Sequence, residues 1–389
     1  MEKQKVIISD DIVAELSNAI KACQHDRLFV LCDTTTQQLC LPLVNSIDEV
    51  AKAQVIAIGP TDSNKTLDTV AQVWQQLGEG GGTRHSLVIN IGGGMVTDLG
   101  GFAASTFKRG VKFINIPTTL LSMVDASVGG KTGFNFNGLK NEIGVFNNAD
   151  YVILDTVFLK TMDEENLCSG YAEMLKHGLI SNDTLWSELI NFDIHQPNLD
   201  QLRRMVADSV AVKERIVLAD PLEHGIRKAL NCGHTVGHAF ESFALKRKPI
   251  LHGHAVAYGI VCELYLAARK TGFPTDKMHA TVRYIKQHYG TMHITCDDYP
   301  ELLELMTHDK KNTEGYINFT LLGDIGDIRL NQSASKEEIF EILDRVLNKK
   351  QTRQSIADEK AVDRTVIYRI CNGKSYVNYY NEFMNASNR

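Results

Sequence analysis

Two rhythms of apolar residues divide the chain. In the first third, short apolar runs alternate with amphipathic stretches. Arg27–Cys32 and Gln54–Ile58 end in turn residues, as strands buried in a parallel sheet do. Residues 64–77 place Leu67, Val70, Val73, Trp74 and Leu77 on one helical face. A glycine loop follows at Glu79–Thr83, and Ser86–Ile91, Val111–Pro117 and Tyr151–Asp155 predict further strands. From about residue 160 the strand signal gives way to helical patterns that run to about residue 289, including Ser169–His177. Another helix ends over Leu302–Met306, Tyr316–Leu322 predicts a short strand, and residues 335–348 a helix. No long internal repeat is present.

Composition narrows the class. A chain of 389 residues predicts two domains. At 43% hydrophobic and 23% charged it has the make-up of an ordinary globular protein with a sizeable core. A formal charge of −6 argues against a chain built mainly to bind nucleic acid or anionic membrane, while leaving room for a local basic pocket. The first residues lack the apolar core of a signal peptide, and no apolar run is long enough to span a bilayer. Eight scattered cysteines without a CxxC pair read as reduced thiols of a cytoplasmic protein.

The chemistry concentrates in Asn231–His254, where four histidines fall close together. His234 and His238 are four apart and share a helical face, and His252 follows after a short basic connection. Two imidazoles with a third ligand from elsewhere make an open Zn²⁺ site; a bare pair of histidines at this spacing is also compatible with a solvated helix face. Upstream, Gly92-Gly93-Gly94 joins a strand to a helix, an arrangement that lets free amides approach a pyrophosphate, though a tight turn without ligand reads the same way. Val124–Thr132 has the look of a phosphate loop but lacks the glycine that GxxxxGK[ST] needs at Asp125, so a nucleotide triphosphatase is rejected. Glu173 and Lys176 share a face three apart. Arg109, Lys131, Lys140, Lys176, Lys213, Arg227 and Lys310 lie beside these turns and the histidines, a density of cations that suits a small substrate bearing carboxylate and phosphate.

Over roughly residues 5–347 the chain resembles the 3-dehydroquinate synthase family of sugar-phosphate cyclases. The resemblance rests on motifs in order: Gly92-Gly-Gly-Met-Val-Thr-Asp98-Leu-Gly-Gly-Phe102, Arg109-Gly110, Ile116-Pro-Thr-Thr-Leu-Leu121, Val124–Thr132, Leu139-Lys140-Asn141, Ala172–Lys176, Leu230–His238, Leu251-His252-Gly253 and Asp309-Lys310-Lys311. It implies a Rossmann-like α/β NAD-binding domain over 1–158 and a mainly helical metal- and substrate-binding domain over 159–349. The implied reaction converts 3-deoxy-D-arabino-heptulosonate 7-phosphate to 3-dehydroquinate and phosphate, NAD being reduced and reoxidised within each turnover. The metal, Zn²⁺ or Co²⁺, falls to Glu173, His234 and His252, with His238 beside it toward substrate. NAD falls to Asp33, Asp62, Lys65, Gly93, Gly94, Met95, Asp98, Thr118, Thr119 and Asp125, with Lys131 and Lys140. Lys131, Lys213, Arg227 and Asn231 are implied for the carboxylate end and ring hydroxyls, and Asn141, Lys176, Lys310 and Arg109 for the phosphate. Arg109 is implied to act across a subunit boundary, hence a homodimer.

The chain departs from the family pattern at Thr61-Asp62-Ser-Asn-Lys65, at Ala219-Asp220-Pro221, and at His252-Gly253-His254, where the spare imidazole leaves the last ligand open between His252 and His254. Competing readings are a cyclase making a valiolone or deoxy-inosose, an iron-type alcohol dehydrogenase, and a DNA-binding regulator on a retired enzyme core; Lys140-Asn141, Asn231 and His238 match the dehydroquinate pattern. The tail, 350–389, has seven Lys/Arg against four Asp/Glu. Residues 354–373 resemble a helix-turn-helix, with Asp363 as an N-cap and Gly373 as a stop. Ala361 in the turn and Lys360 in an apolar slot favour a pair of helices that docks on the enzyme over one that reads DNA.

Overall fold

The computed structural model describes residues 4–221, 223–307 and 317–347. These fall into two compact units. One comprises the described residues up to His177 with Asn191–Arg227, the other Gly178–Ile190 with those from Lys228 onward. Lys310 and the tail with its expected helix pair lie outside the described residues. No helix among the described residues is long and apolar enough to cross a membrane.

The first unit runs β1 (Lys5–Ser9), α1 (Ile12–Ala22), β2 (Leu28–Asp33), α2 (Thr34–Leu39), α3 (Asp48–Ala51), β3 (Gln54–Ile58), α4 (Leu67–Glu79), β4 (Leu87–Gly92), α5 (Gly94–Thr106), β5 (Lys112–Pro117), β6 (Lys131–Phe136), β7 (Leu139–Phe146), β8 (Tyr151–Asp155) and α6 (Glu164–Leu179); after α7 (Asp183–Ile190), which belongs to the second unit, it resumes with α8 (Leu199–Ala219). Six strands form one parallel sheet in the order β1-β8-β5-β4-β2-β3. Its middle is buried on both faces, which is why β2 and β4 are apolar runs rather than alternating ones. The polar Asn90 in mid-β4 donates from Nδ2 to Asn115 Oδ1 of β5 at 2.8 Å. The chain leaves β2 for β3 on one side and returns to β4 on the other, so the strand order reverses between β2 and β4. Ligands of open α/β sheets bind at the carboxyl ends of the strands at such a point.

The observed α4 starts later than the expected residue 64, because Asp62–Asn64 make a 3₁₀ turn and Thr66 caps the helix through Thr69 N. Residues 131–146, which the motifs marked only for their cations, form an antiparallel hairpin, β6–β7. Its loop is Asn137-Gly138 with φ of 49° and 78°, the left-handed pair that a type I′ turn requires.

The second unit holds α7, then α9 (His234–Leu245), α10 (His252–Lys270), α11 (Thr275–Tyr289), α12 (Tyr299–Thr307), the hairpin β9 (Ile317–Asp324) and β10 (Asp327–Ala334), and α13 (Lys336–Leu347). Helices α9 and α10 pack backbone to backbone. A Cβ on Gly259 would lie 2.0 Å from Gly233 O and 2.7 Å from Gly237 N.

Gly259→Ala is therefore expected to destabilise the protein by about 1–3 kcal/mol through overpacking. Gly78, inside α4 with open space around it, is the contrast: Gly78→Ala is expected to stabilise by about 0.5–1 kcal/mol. Denaturant unfolding of the two variants checks both signs.

Candidate active site

At the switch point, β4 and β5 end in register, Gly92 opposite Pro117, so the Gly93–Gly94 and Thr118–Thr119 turns lie side by side. Gly93 is the N-cap of α5 and Gly94 and Met95 open that helix, with no side chain capping its first amides. Uncapped amides at a helix N-terminus beside a glycine turn are suited to a phosphate. Asp33, at the end of β2, turns its carboxylate onto the amides of Thr35 and Thr36 at 2.8 and 2.9 Å. Asp62 accepts from Asn135 Nδ2 at 2.9 Å. Lys65 is buried, with Nζ 2.6 Å from Asp98 Oδ2 on α5 and hydrogen-bonded to Asn141 Oδ1. Burial pushes the Asp98 carboxyl up, and Lys65 pulls it back. Asn141 takes a left-handed φ of 51°, and its amide donates to Asn135 Oδ1.

Deeper in the same unit, two carboxylate–ammonium pairs sit together. Asp125 lies in the π-type turn Ser122–Ala126, and Lys213 of α8 reaches it at 2.6 Å. Glu173 and Lys176, one turn apart on α6, form the second pair, both almost wholly buried. Alpha-6 can approach this turn because Gly170 passes the backbone of Leu121 too closely for any Cβ, which would lie 2.4 Å from Leu121 N. Burial alone would raise the Asp125 carboxyl, but Lys213 and then Lys176 outweigh it and hold it well below the usual range. Burial likewise pulls the Lys213 ammonium down, with Asp125 opposing. Ligand atoms of Asp125, Glu173 and His177 lie within 4.8 Å of one another. His177, not singled out by the motifs, is fully buried; its Nδ1 lies 2.6 Å from Ser209 Oγ, and burial, with Lys176 next, pushes it down to about 3, so it is neutral. Lys131 is exposed and pairs with Glu223 at 2.6 Å, and Lys140 is exposed on β7. The buried Arg227 donates to Pro221 O at 2.7 Å. Arg109 is exposed on a turn in which Lys108, Arg109 and Gly110 all have positive φ, of 51°, 69° and 110°.

In the second unit, α9 and α10 bring His234, His238 and His252 together. Their ring centroids are 5.1–5.8 Å apart, and one ligand nitrogen from each lies within 4.8 Å of the others. His234 Nδ1 lies 3.1 Å from Cys232 O, and His252 Nδ1 lies 3.1 Å from Glu241 Oε2. Carbonyl and carboxylate oxygens only accept, so each of these Nδ1 atoms is the donor. Such second bonds are how metal-bound imidazoles are oriented, and a cluster of imidazoles suits Zn²⁺ or Co²⁺. His254, two residues on, is turned away and packs against Tyr289 with centroids 5.2 Å apart. Asn231 ends the 3₁₀ turn leading to this cluster. Glu241 was absent from the sequence motifs. Its signal was available, since it lies seven residues after His234 and three after His238, on their face of α9.

Models of the 3-dehydroquinate synthase N-terminal and C-terminal domains match residues 55–169 and 170–312. The 3-dehydroquinate synthase of Parabacteroides distasonis is 54% identical over 345 residues, 88% of this chain and 98% of that protein. Among solved structures, a 2-epi-5-epi-valiolone synthase from Streptomyces hygroscopicus with NAD⁺ and Zn²⁺ bound superposes with a TM-score of 0.78 at 25% identity, over 90% of this chain and 98% of that one. A 2-deoxy-scyllo-inosose synthase complexed with carbaglucose-6-phosphate, NAD⁺ and Co²⁺ shares the fold at a TM-score of 0.78 and 21% identity, over 89% and 96% of the two chains. With both domain models matched in tandem and a relative this similar along nearly its whole length, the chain belongs to the 3-dehydroquinate synthase family.

Proposed function

We propose that the chain converts 3-deoxy-D-arabino-heptulosonate 7-phosphate to 3-dehydroquinate and phosphate, using NAD and one divalent metal ion, each returned unchanged. The observation that carries the reading is the histidine cluster with its Nδ1 hydrogens tied to Cys232 O and Glu241, beside a family membership that specifies the substrate. Glu173, His234 and His252 would hold the metal, and the α5 N-terminus with the Thr118–Thr119 turn would receive NAD. When bound, NAD supplies a reversible hydride acceptor and the metal a Lewis acid for a substrate hydroxyl. The chain's own groups bind and orient. Lys176 and Arg109, with Asn141, take the phosphate, and Lys131, Lys213, Arg227 and Asn231 take the carboxylate end and ring hydroxyls. His238, exposed beside two ligands, faces substrate and can hold or pass a proton. Lys176 and Lys213 are already fixed by Glu173 and Asp125, so little reorganisation accompanies binding. Arg109 would reach the phosphate of a second copy in a homodimer, which suits its exposed, left-handed turn.

The direct test incubates the purified chain with the heptulosonate phosphate and catalytic NAD⁺. Phosphate release without NADH accumulation is expected; stoichiometric NADH would identify a dehydrogenase instead. Metal analysis provides a second test. Glu173→Ala, His234→Ala and His252→Ala are each expected to lose the bound ion and most turnover, because a three-ligand site reduced to two loses much of its affinity, whereas His254→Ala keeps it. The reverse pattern at His252 and His254 would move the ligand. Third, Arg109→Ala is expected to raise the KM for the sugar phosphate about tenfold or more while leaving that for NAD⁺ unchanged, because charge-assisted bonds to phosphate are strong. Mixing Arg109→Ala with Lys176→Ala subunits should restore part of the activity; no recovery would place Arg109 in its own subunit's site.

A further inference from the structure

Helix α9 carries His234 and His238 but has no cap of its own. Its N-cap is Gly233, with no side-chain hydrogen bond to the first turn. Gly233 has to be glycine: its φ is 81°, and a Cβ there would lie 2.5 Å from Ile260 Cγ1 on α10. The usual Ser, Thr, Asp or Asn cap is therefore shut out, and the first amides of α9 need an acceptor from elsewhere.

Glu263 of α10 is that acceptor. Gly233 N donates to Oε2 at 2.6 Å and Val236 N to Oε1 at 3.3 Å. On α10, His252, Val256, Gly259 and Glu263 follow one another at four, three and four residues and so form one stripe. That stripe begins with a member of the histidine cluster, passes through the glycine contact with α9, and ends on the carboxylate that holds the start of α9. Glu263 is 2% exposed, and Val236, Leu266, Phe319 and Leu343 line a cavity beside it. Burial pushes its carboxyl up to about 8 against the pull of the amides. A costly buried acid is thus placed where it joins the two helices that carry the imidazoles.

We propose that Glu263 is a positioning residue of the metal centre, clamping the N-terminus of α9 to α10 so that His234 and His238 stay opposed to His252. The proposal rests on the reading of His234 and His252 as metal ligands.

The test uses the full chain, stripped of metal and titrated with Zn²⁺ against a chelating indicator. Glu263→Ala is expected to weaken Zn²⁺ binding about tenfold or more, the range found when groups supporting metal ligands are lost. Glu263→Gln keeps one acceptor oxygen and is expected to fall between it and the wild type, which keeps the proposal testable if the alanine variant fails to fold. Leu343→Ala, which opens the same cavity without touching the amides, is the control for general loosening and is expected to hold Zn²⁺ nearly as the wild type does. Wild-type affinity in both Glu263 variants would overturn the proposal, as would an equal loss in Leu343→Ala. Hydrogen exchange over 232–238 in the metal-free protein separates the clamp from the metal: faster exchange in Glu263→Gln supports the clamp, and unchanged exchange refutes it. A His234→Ala variant that binds Zn²⁺ as tightly as wild type would instead refute the ligand reading itself.

Discussion

A charged side chain taken out of water needs an opposite charge or several hydrogen bonds taken out with it, and the first unit is arranged around that rule. Lys65 is buried against Asp98, Lys213 against Asp125, and Lys176 against Glu173. The first two pairs also tie distant parts of the chain together, Lys65 to α5 and α8 to the turn after β5, whereas Glu173 and Lys176 sit one turn apart on α6. Removing one partner from such a pair typically costs about 3–5 kcal/mol, because the other is left buried alone. The pairs therefore hold the ammonium groups extended and in place.

The second unit meets a related demand by another route. Its three imidazoles are held as a cluster of fixed rings. Cys232 O and Glu241 set the orientation of two of them, and the spacing of the helices that carry them is set by glycines. One unit thus positions its chemistry by charge pairing and the other by close backbone contact.

Much of this was legible in the sequence, for identifiable reasons. Strands β2, β4, β5 and β8 are buried in a parallel sheet and show as plain apolar runs. His234 and His238 share a face by arithmetic alone. The β6–β7 hairpin was harder to see, because β7 is almost wholly exposed and carries no core face, although Asn137-Gly138 marks its turn. Strand β10, Asp-Ile-Arg-Leu-Asn-Gln-Ser-Ala, is largely polar and, among the described residues, pairs only with β9. Which of His252 and His254 joins the cluster could not be read from spacing, since two residues on a helix differ by a rotation that only packing fixes; in the structure His252 lies with His234 and His238 while His254 packs on Tyr289. Glu263 left a faint trace, a lone acid in Gly-Ile-Val-Cys-Glu-Leu-Tyr-Leu, but its partners are backbone amides, which no side-chain pattern reveals.

The seam between α9 and α10 has a consequence for how such a protein can change over generations. Where side chain meets side chain, an interface can drift: one residue grows, its neighbour shrinks, and the pair moves to a new solution with little loss. At Gly259 the atoms opposite are Gly233 O and Gly237 N, main-chain atoms present in every amino acid. No neighbour can shrink to admit a larger residue, so no second-site change is available to rescue the first. Lineages carrying this seam are confined to a single solution there, and their divergence is channelled to positions with open space around them, such as Gly78 in α4.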